Sequence, residues 1–226
     1  PSEFISIQHG YIIAVDGVVV YCGESIPPAY ADCEVTDYGD NLIIPGFVDT
    51  HAHAPQYCNR GLGMDKELLP WLETYTFPEE AKFSDLDYAR LVYSAFAQDL
   101  WRNGTTRSIL FGTIHKESTL VLMELLQKAG LSAYVGKVNM DRNSPDFLIE
   151  ETSQSLADTK AWLEESASFG PLVKPIITPR FVPSCTSELM DGLGTLSEEY
   201  KVPVQSHLSV NHGDIYWVAS LHPESP

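Results

Sequence analysis

Apolar, strand-like runs alternate with helical stretches through most of this chain, from Pro45 onward. The predicted strands cover residues 42–49, 105–111, 133–138, 173–178 and 202–207. The stretches between them carry apolar residues at i, i+3 and i+4, which is the spacing of one helix face. Because a strand–helix–strand order places consecutive strands parallel, the pattern predicts an α/β fold built on a parallel sheet.

Two architectures share this alternation, a doubly wound sheet and a (β/α) barrel. A nucleotide-binding doubly wound sheet usually has a Gly-rich turn after its first strand, whereas residues 51–56 read His-Ala-His-Ala-Pro-Gln. Polar residues also follow several strand ends, where a barrel builds its active site. We therefore predict a (β/α)8 TIM barrel over residues 45–226. A full barrel needs eight strands, so five strands predict an incomplete barrel of about five βα units, truncated after strand five.

Polar residues predict where the helices of this barrel begin. The expected N-caps are Ser84, either Thr152 or Ser153, and Thr186. Further helices are predicted over residues 117–129, closed by Gly130, and from Asp214 to Leu221. Two glycines weaken the helix that follows Thr186, since glycine has a low helix propensity.

Residues 1–44 predict a separate small β segment. Short β-rich runs lie at residues 5–7, 10–15 and 18–22, and residues 35–44 are expected to be extended. Asp16-Gly17 between two of these runs predicts a hairpin with a type I′ turn. The segment is too small to bury much surface alone, so we expect it to form part of a composite β-sandwich.

Charge and cysteine content limit the partners of the protein. A formal net charge of −17 argues against nucleic acid and anionic membrane surfaces, because both would repel the chain. The four cysteines show no CxxC or regular spacing, which is typical of reduced thiols in a cytoplasmic protein. No apolar run approaches the ~18 residues of a membrane span. We expect a cytoplasmic protein acting on a small molecule.

Three histidines at strand ends form a candidate metal site. His51 and His53 are spaced i and i+2, so both side chains point to the same face of a strand. His207 ends another apolar run, and three protein ligands with one exchangeable position are typical of a catalytic metal. A bare His-x-His is more often a surface pair, but the preceding apolar strand favours a metal. Histidines suit Zn, Fe, Co and Ni almost equally.

Several motifs of the chain resemble those of the amidohydrolase superfamily, and specifically its guanine deaminases. The signature of the first barrel strand is Pro-Gly-Phe-Val-Asp-Thr-His-Ala-His (residues 45–53). Further matching motifs lie at residues 54–57, 69–78, 103–106, 113–115, 135–138 and 174–181. The resemblance implies a zinc-dependent enzyme that hydrolyses guanine to xanthine and ammonia, with zinc held by His51, His53 and His207. An incomplete barrel is also expected to find a partner, so we expect a homo-oligomer, most simply a dimer.

The resemblance also assigns residues to the purine. Gln56, Arg180 and Phe181 match the purine-binding residues of this group, and His53 and His207 border the substrate. An amide offers both a donor and an acceptor to a ring edge. Arginine can fork onto guanine O6 and N7, and phenylalanine supplies a stacking face. The alternatives are a loop-fixing glutamine, an arginine paired with a local carboxylate, and a core phenylalanine.

Two features of the pattern are missing. The resemblance implies an acid/base glutamate three residues after His207, but this position holds Val210. An isopropyl group carries no proton, so general acid/base help worth roughly 10²–10⁴-fold should be lost. A histidine near strand six and an aspartate metal ligand after strand eight, both implied by the resemblance, also have no counterpart. No catalytic residue is therefore assigned by motif, and a non-catalytic purine- or metal-binding relative, or a fragment that needs a complementing chain, stays open.

Two other deaminase classes compete with this interpretation. An aminohydrolase of the same superfamily acting on a pterin, triazine or other purine ring is disfavoured by Gln56, Arg180 and Phe181. A deaminase of the cytidine type is excluded, because its His-x-Glu and Pro-Cys-x-x-Cys pattern does not occur in the sequence.

Overall fold

The computed structural model describes residues 5–224 of the chain. It divides into two compact units, with the boundary between Ile44 and Pro45. In the first unit, β1 (Tyr11–Val15) and β2 (Val18–Gly23) form an antiparallel hairpin. Asp16 and Gly17 have φ angles of 51° and 78°, and positive φ at both central positions defines the predicted type I′ turn.

The rest of the first unit differs from the prediction. Residues 5–7 and 35–44 form no strand. A strand needs a partner for its N–H and C=O groups, and the described residues of this unit supply only the β1–β2 pair. A β-sandwich requires two packed sheets, so the composite sandwich stays a prediction.

The second unit contains the predicted parallel sheet. Its order is β3 (Phe47–His53), β4 (Thr105–Phe111), β5 (Ser132–Gly136) and β7 (Val173–Pro175), with every neighbouring pair parallel. Two short parallel strands, β6 (Val138–Asn139) and β8 (Thr178–Pro179), continue the last two beyond an interruption. The predicted α/β fold with parallel strands is confirmed, although β3 begins later than expected, at Phe47.

The predicted fifth strand forms only in part. Residues 202–207 run parallel to the strand before them through two isolated bridges, Ile177 with Val204 and Phe181 with His207. The Ile177 N–H donates to Pro203 O at 2.9 Å, and the His207 N–H donates to Arg180 O at 3.0 Å. Pro203 has no N–H to give to a ladder. The segment nevertheless places His207 beside the ends of the other strands.

Within residues 5–224, seven α-helices accompany the sheet. They are α1 (Leu68–Trp71), α2 (Phe77–Ala81), α3 (Leu86–Arg102), α4 (Lys116–Lys128), α5 (Thr152–Ser166), α6 (Ser187–Tyr200) and α7 (His212–Leu221). A π-helical turn, Leu72–Thr76, joins α1 to α2, and a 3₁₀ turn, Ala54–Asn59, follows β3. None of the described helices is long and apolar enough to cross a membrane.

One predicted cap is confirmed and two are wrong. The Thr186 hydroxyl accepts the N–H of Leu189 and caps α6. The cap of α3 is Asp85 rather than Ser84, because its carboxylate accepts the N–H groups of Asp87 and Tyr88. Helix α5 begins after Glu151 without a side-chain cap, since the Thr152 hydroxyl donates to Asp141 instead.

The buried core lies between the sheet and helices α3 to α6. Trp162, Leu122, Leu126 and Val135 are fully buried within it. These residues come from α5, α4 and β5, so the core fixes the sheet against its helices. Burial of this kind contributes roughly 1.5–3 kcal/mol for each large apolar side chain. The strand ends that it positions carry the candidate site.

Candidate active site

Three histidines converge at the carboxyl ends of the parallel strands. His51 and His53 lie on β3 and His207 at the end of the partly formed fifth strand. One ring nitrogen from each lies within 4.8 Å of the others. His51 is exposed, whereas His53 and His207 are half-buried. We refer to these three residues as the histidine cluster, and they could hold a divalent metal.

Hydrogen bonding fixes the ring of His207 in a metal-binding form. Its Nδ1 lies 2.7 Å from the carbonyl oxygen of Arg180. A carbonyl only accepts, so Nδ1 carries the proton and Nε2 keeps its lone pair. A hydrogen bond at the second ring nitrogen is the usual arrangement for a metal-ligating histidine.

The spacing within the histidine cluster fits a metal ion. Nε2 of His53 lies 3.0 Å from Nε2 of His207, and Nδ1 of His53 is buried without a partner among the described residues. Nitrogens bound to a tetrahedral zinc at 2.0–2.1 Å lie about 3.3–3.4 Å apart. An ion therefore fits between the rings after a small outward movement.

Burial and a neighbouring positive charge keep these rings neutral. Desolvation lowers the pKa of His53 well below its usual value, and the Arg180 charge lowers it further. Desolvation, with a smaller effect of Arg180, lowers the pKa of His207 to about 4. The neutral imidazole is the form that binds a metal, so both rings are ready to do so at neutral pH.

Phe111, the last residue of β4, lies against the histidine cluster. Its ring stacks on His53 with a centroid distance of 4.5 Å and lies 4.4 Å from that of His207. These contacts limit the rotation of both imidazoles. Phe111 was not expected at the site, although its place at the end of a predicted strand next to β3 was a usable signal.

A cavity of about 250 Å³ opens beside the histidine cluster. All the sequence-predicted site residues line it, namely His51, His53, Gln56, Arg180, Phe181, His207 and Val210. Leu68, Trp71 and Leu72 add an apolar wall from α1 and the π-helical turn. Its volume is below that of typical drug-sized pockets, which suits a small heterocycle.

Arg180 is paired with a carboxylate, one of the two possibilities that the sequence left open. Its Nη1 and Nη2 donate to the two carboxylate oxygens of Glu80 at 2.6 and 3.1 Å. Both side chains are buried, at 3% and 1% exposure. The guanidinium also lies over the ring of Phe77, 5.1 Å from its centroid. The outer end of the guanidinium is therefore not available for a ligand.

Glu80 also holds Gln56. Nε2 of Gln56 donates to Oε1 of Glu80 at 3.1 Å. We refer to Glu80, Gln56 and Arg180 as the carboxylate anchor. Glu80 was not among the predicted site residues, and it lies two residues beyond the motif of residues 69–78. The available signal was a pair of glutamates, Glu79-Glu80, directly after that motif.

Phe181 and Val210 both line the cavity but differ in their exposure to solvent. Phe181 is buried and meets the ring of Trp217 edge-on at 5.9 Å. Val210 is half exposed, and its N–H donates to Asp214 at 3.2 Å. The Val210 side chain thus faces the cavity with an apolar group.

His115 and Asp49 lie near the strand ends but outside the histidine cluster. His115 follows β4, and burial together with the Lys137 charge lowers its pKa. Asp49 accepts the backbone N–H of His51 at 3.0 Å, so its carboxylate holds the strand backbone and not an imidazole ring. Neither residue is among those that line the cavity.

Histidines at the carboxyl ends of parallel strands, beside a small cavity, are the arrangement that metal-dependent enzymes of the (β/α) barrel class use. The amidohydrolase family model matches residues 42–225. The chain belongs to the amidohydrolase family, and its α/β fold is of the barrel type of that family.

Individual relatives are guanine deaminases. The chain is 52% identical to the guanine deaminase of Dictyostelium discoideum over 190 residues, 84% of this chain and 42% of that protein. It is 39% identical to the enzyme of Escherichia coli over 235 residues, 99% of this chain and 52% of that protein. A crystal structure of guanine deaminase from C. acetobutylicum with guanine in its active site matches with a TM-score of 0.96 and 53% identity, covering 99% of this chain and 54% of that one. The chain thus spans about half the length of these relatives.

Proposed function

We propose that the protein is a zinc-dependent guanine deaminase, which converts guanine and water to xanthine and ammonia. The observation that carries this proposal is a single small cavity that is lined both by the histidine cluster and by Gln56 and Arg180 of the carboxylate anchor. Similarity to guanine deaminases supports guanine as the substrate. The products then enter purine catabolism or salvage.

His51, His53 and His207 would hold the metal, with zinc as our proposal and Fe or another divalent ion as the alternative. Zinc, when bound, supplies the Lewis acidity that makes water a nucleophile at neutral pH. His207 contributes a lone pair oriented by the Arg180 carbonyl. Phe111 restrains the rings of His53 and His207 from one side.

The opposite side of the cavity would bind the purine. Gln56 and Arg180 provide hydrogen-bonding groups in a buried setting, where such bonds discriminate strongly because unmatched partners are costly. Phe181 provides an apolar wall near the ring, and His53 and His207 border the reacting C2 position. Together these groups orient the heterocycle between the wall and the histidine cluster.

Proton transfer is the step that this chain supports least. The attacking water must lose a proton and the leaving amine must gain one, which usually requires a positioned acid/base group. Val210 occupies the position where the resemblance expects a glutamate, and its side chain cannot carry a proton. This single residue favours the alternative function, a non-catalytic purine- and metal-binding relative.

We also propose that residues 45–226 form about five βα units of a (β/α)8 barrel and that residues 1–44 form part of a β-sandwich. The greater length of the relatives supports both proposals. A cytoplasmic location is supported by four free cysteines, three of them exposed. We further propose a homodimer, with neither nucleic acid nor membrane as a partner.

Guanine turnover by the zinc-loaded protein and its Val210→Glu variant tests this proposal. We expect Val210→Glu to deaminate guanine roughly 10²–10⁴-fold faster than the unmodified protein, because the variant restores an acid/base group at the cavity. Loss of guanine absorbance and release of ammonia measure the rate. The control is Leu208→Glu, which adds the same carboxylate at a position 82% exposed and outside the cavity.

The outcomes separate the two candidate functions. Guanine binding without turnover in Val210→Glu would favour the non-catalytic relative. Neither binding nor turnover in the zinc-loaded variant would exclude guanine as the ligand of this site.

A further inference from the structure

Glu80 contacts two cavity residues without itself lining the cavity. Its carboxylate accepts hydrogen bonds from Gln56 and Arg180, which both line the cavity, and its side chain is 1% exposed. We infer that Glu80 is a positioning residue that sets which hydrogen-bonding groups face the ligand and so selects a 6-oxopurine over a 6-aminopurine. This inference rests on the proposed function, because it names the purine edge that the same site recognises.

The contact with Glu80 orients the amide of Gln56. An ionised carboxylate only accepts hydrogen bonds, so the NH₂ end of the amide must face Glu80. The opposite end, Oε1, is then directed away from Glu80 on a side chain that lines the cavity. Gln56 therefore offers the ligand an acceptor, which suits a ring N–H.

The same contact selects the edge of Arg180 that is available. Both terminal nitrogens are engaged in the fork to Glu80. Nε of Arg180 donates no hydrogen bond to any group within residues 5–224. The guanidinium thus presents its side, Nε and the adjacent Nη hydrogen, and this edge suits a carbonyl oxygen acceptor.

The acceptor of Gln56 and the two donors of Arg180 together match a 6-oxopurine. A 6-oxopurine carries N1–H, a donor, next to O6, an acceptor. A 6-aminopurine reverses this order, with an unprotonated N1 beside an amino group. In a buried site the reversed pattern leaves polar groups unpaired, and this mismatch is costly. Glu80 excludes that pattern, since its charge prevents Gln56 from turning its NH₂ end to the ligand.

Equilibrium dialysis of the zinc-loaded protein with guanine and with 2,6-diaminopurine tests the inference. The two ligands differ only at the 6-substituent and the N1 proton. We expect the unmodified protein to bind guanine about 10–100-fold more tightly. In Glu80→Gln the new amide can pair with either end of Gln56, so we expect the preference to fall below about 3-fold.

The matched control is Glu79→Gln, which changes a neighbouring buried glutamate. Glu79 bonds Lys82 and Tyr88 and does not contact Gln56 or Arg180, so its variant should keep the full preference. Zinc binding should be the same in all of these proteins. A uniform loss of affinity for both purines in Glu80→Gln, with the preference unchanged, would show that Glu80 has only a structural role.

A second variant covers the case in which Glu80→Gln does not fold, as judged by circular dichroism. Glu80→Asp keeps the charge beside Arg180 but is one methylene shorter, so it cannot hold both Gln56 and Arg180 at their present distances. We expect a reduced preference here as well, and a preference equal to that of the unmodified protein would overturn the inference. If the unmodified protein binds neither purine, the proposed function fails instead.

Discussion

The two sides of the cavity are held in different ways. The histidine cluster is exposed or half-buried, and two of its ring nitrogens face each other at 3.0 Å. The carboxylate anchor is almost fully buried at its ion pair, where Glu80 and Arg180 form two hydrogen bonds. The histidine cluster thus directs ring nitrogens toward a common point, whereas the charges of the carboxylate anchor are already paired within the protein.

The histidine cluster therefore becomes a complete site only when an ion binds. The carboxylate anchor is already assembled before a ligand binds. In the metal-free protein Nε2 of His53 donates a hydrogen bond to Nε2 of His207, and a bound cation would use the lone pairs of both nitrogens in place of this single proton. A buried ion pair contributes little net stability, but losing one partner leaves an uncompensated charge. Substitutions on the first side should therefore change metal affinity, and substitutions on the second side should change folding stability.

The largest effect is expected on the histidine side. His207→Ala removes one of three ligands and should weaken zinc binding by at least about 1000-fold, more than the 10–100-fold typical of losing an outer partner alone. The stability of the metal-free protein should change little, because the ring is only half-buried. Competition with a chelating dye measures the affinity, and His9→Asn, at an exposed position with positive φ, is the control. Retained zinc affinity would show that the three histidines do not form the metal site.

The carboxylate side should show the opposite response. Glu80→Ala leaves Arg180 charged and buried without its partner, at a cost of about 3–5 kcal/mol in the free energy of unfolding. Urea denaturation measures this change. Glu124→Ala, which removes a carboxylate that pairs with Arg90 and Lys128 at the surface, should cost less than about 1 kcal/mol. Equal losses in the two variants would contradict the idea of a preassembled anchor.

The same contrast explains how much of the site was predictable from the sequence. His51 and His53 follow an apolar strand at a spacing of two, and strand geometry alone puts them on one face. Val210 was identified by its distance from His207 along the chain. Glu80 has no such local signal, because its partners Gln56 and Arg180 are 24 and 100 residues away.

The fold shows a similar division. The hairpin around Asp16-Gly17 and the strand over residues 105–111 depend on local pattern, and both form as predicted. The strand expected at residues 202–207 is reduced to two bridges, and the apolar pattern that predicted it did not account for Pro203, which has no N–H to give to a ladder. The cap at Asp85 rather than Ser84 is a shift of one residue between two side chains that can both cap a helix.

The smallest predicted effect tests whether the scaffold can be weakened without disturbing either side of the cavity. Thr186 caps α6 five residues after Phe181, and its hydroxyl also donates to Asp141 at 2.5 Å. Thr186→Ala should lower the free energy of unfolding by about 1 kcal/mol, whereas Thr186→Ser should keep most of the stability because it keeps the hydroxyl. Zinc and guanine affinities should stay the same in both, since Thr186 does not line the cavity. A fall in guanine affinity in Thr186→Ala alone would show that the carboxylate anchor depends on how the chain after Phe181 is held, and that it is less self-contained than its buried ion pair implies.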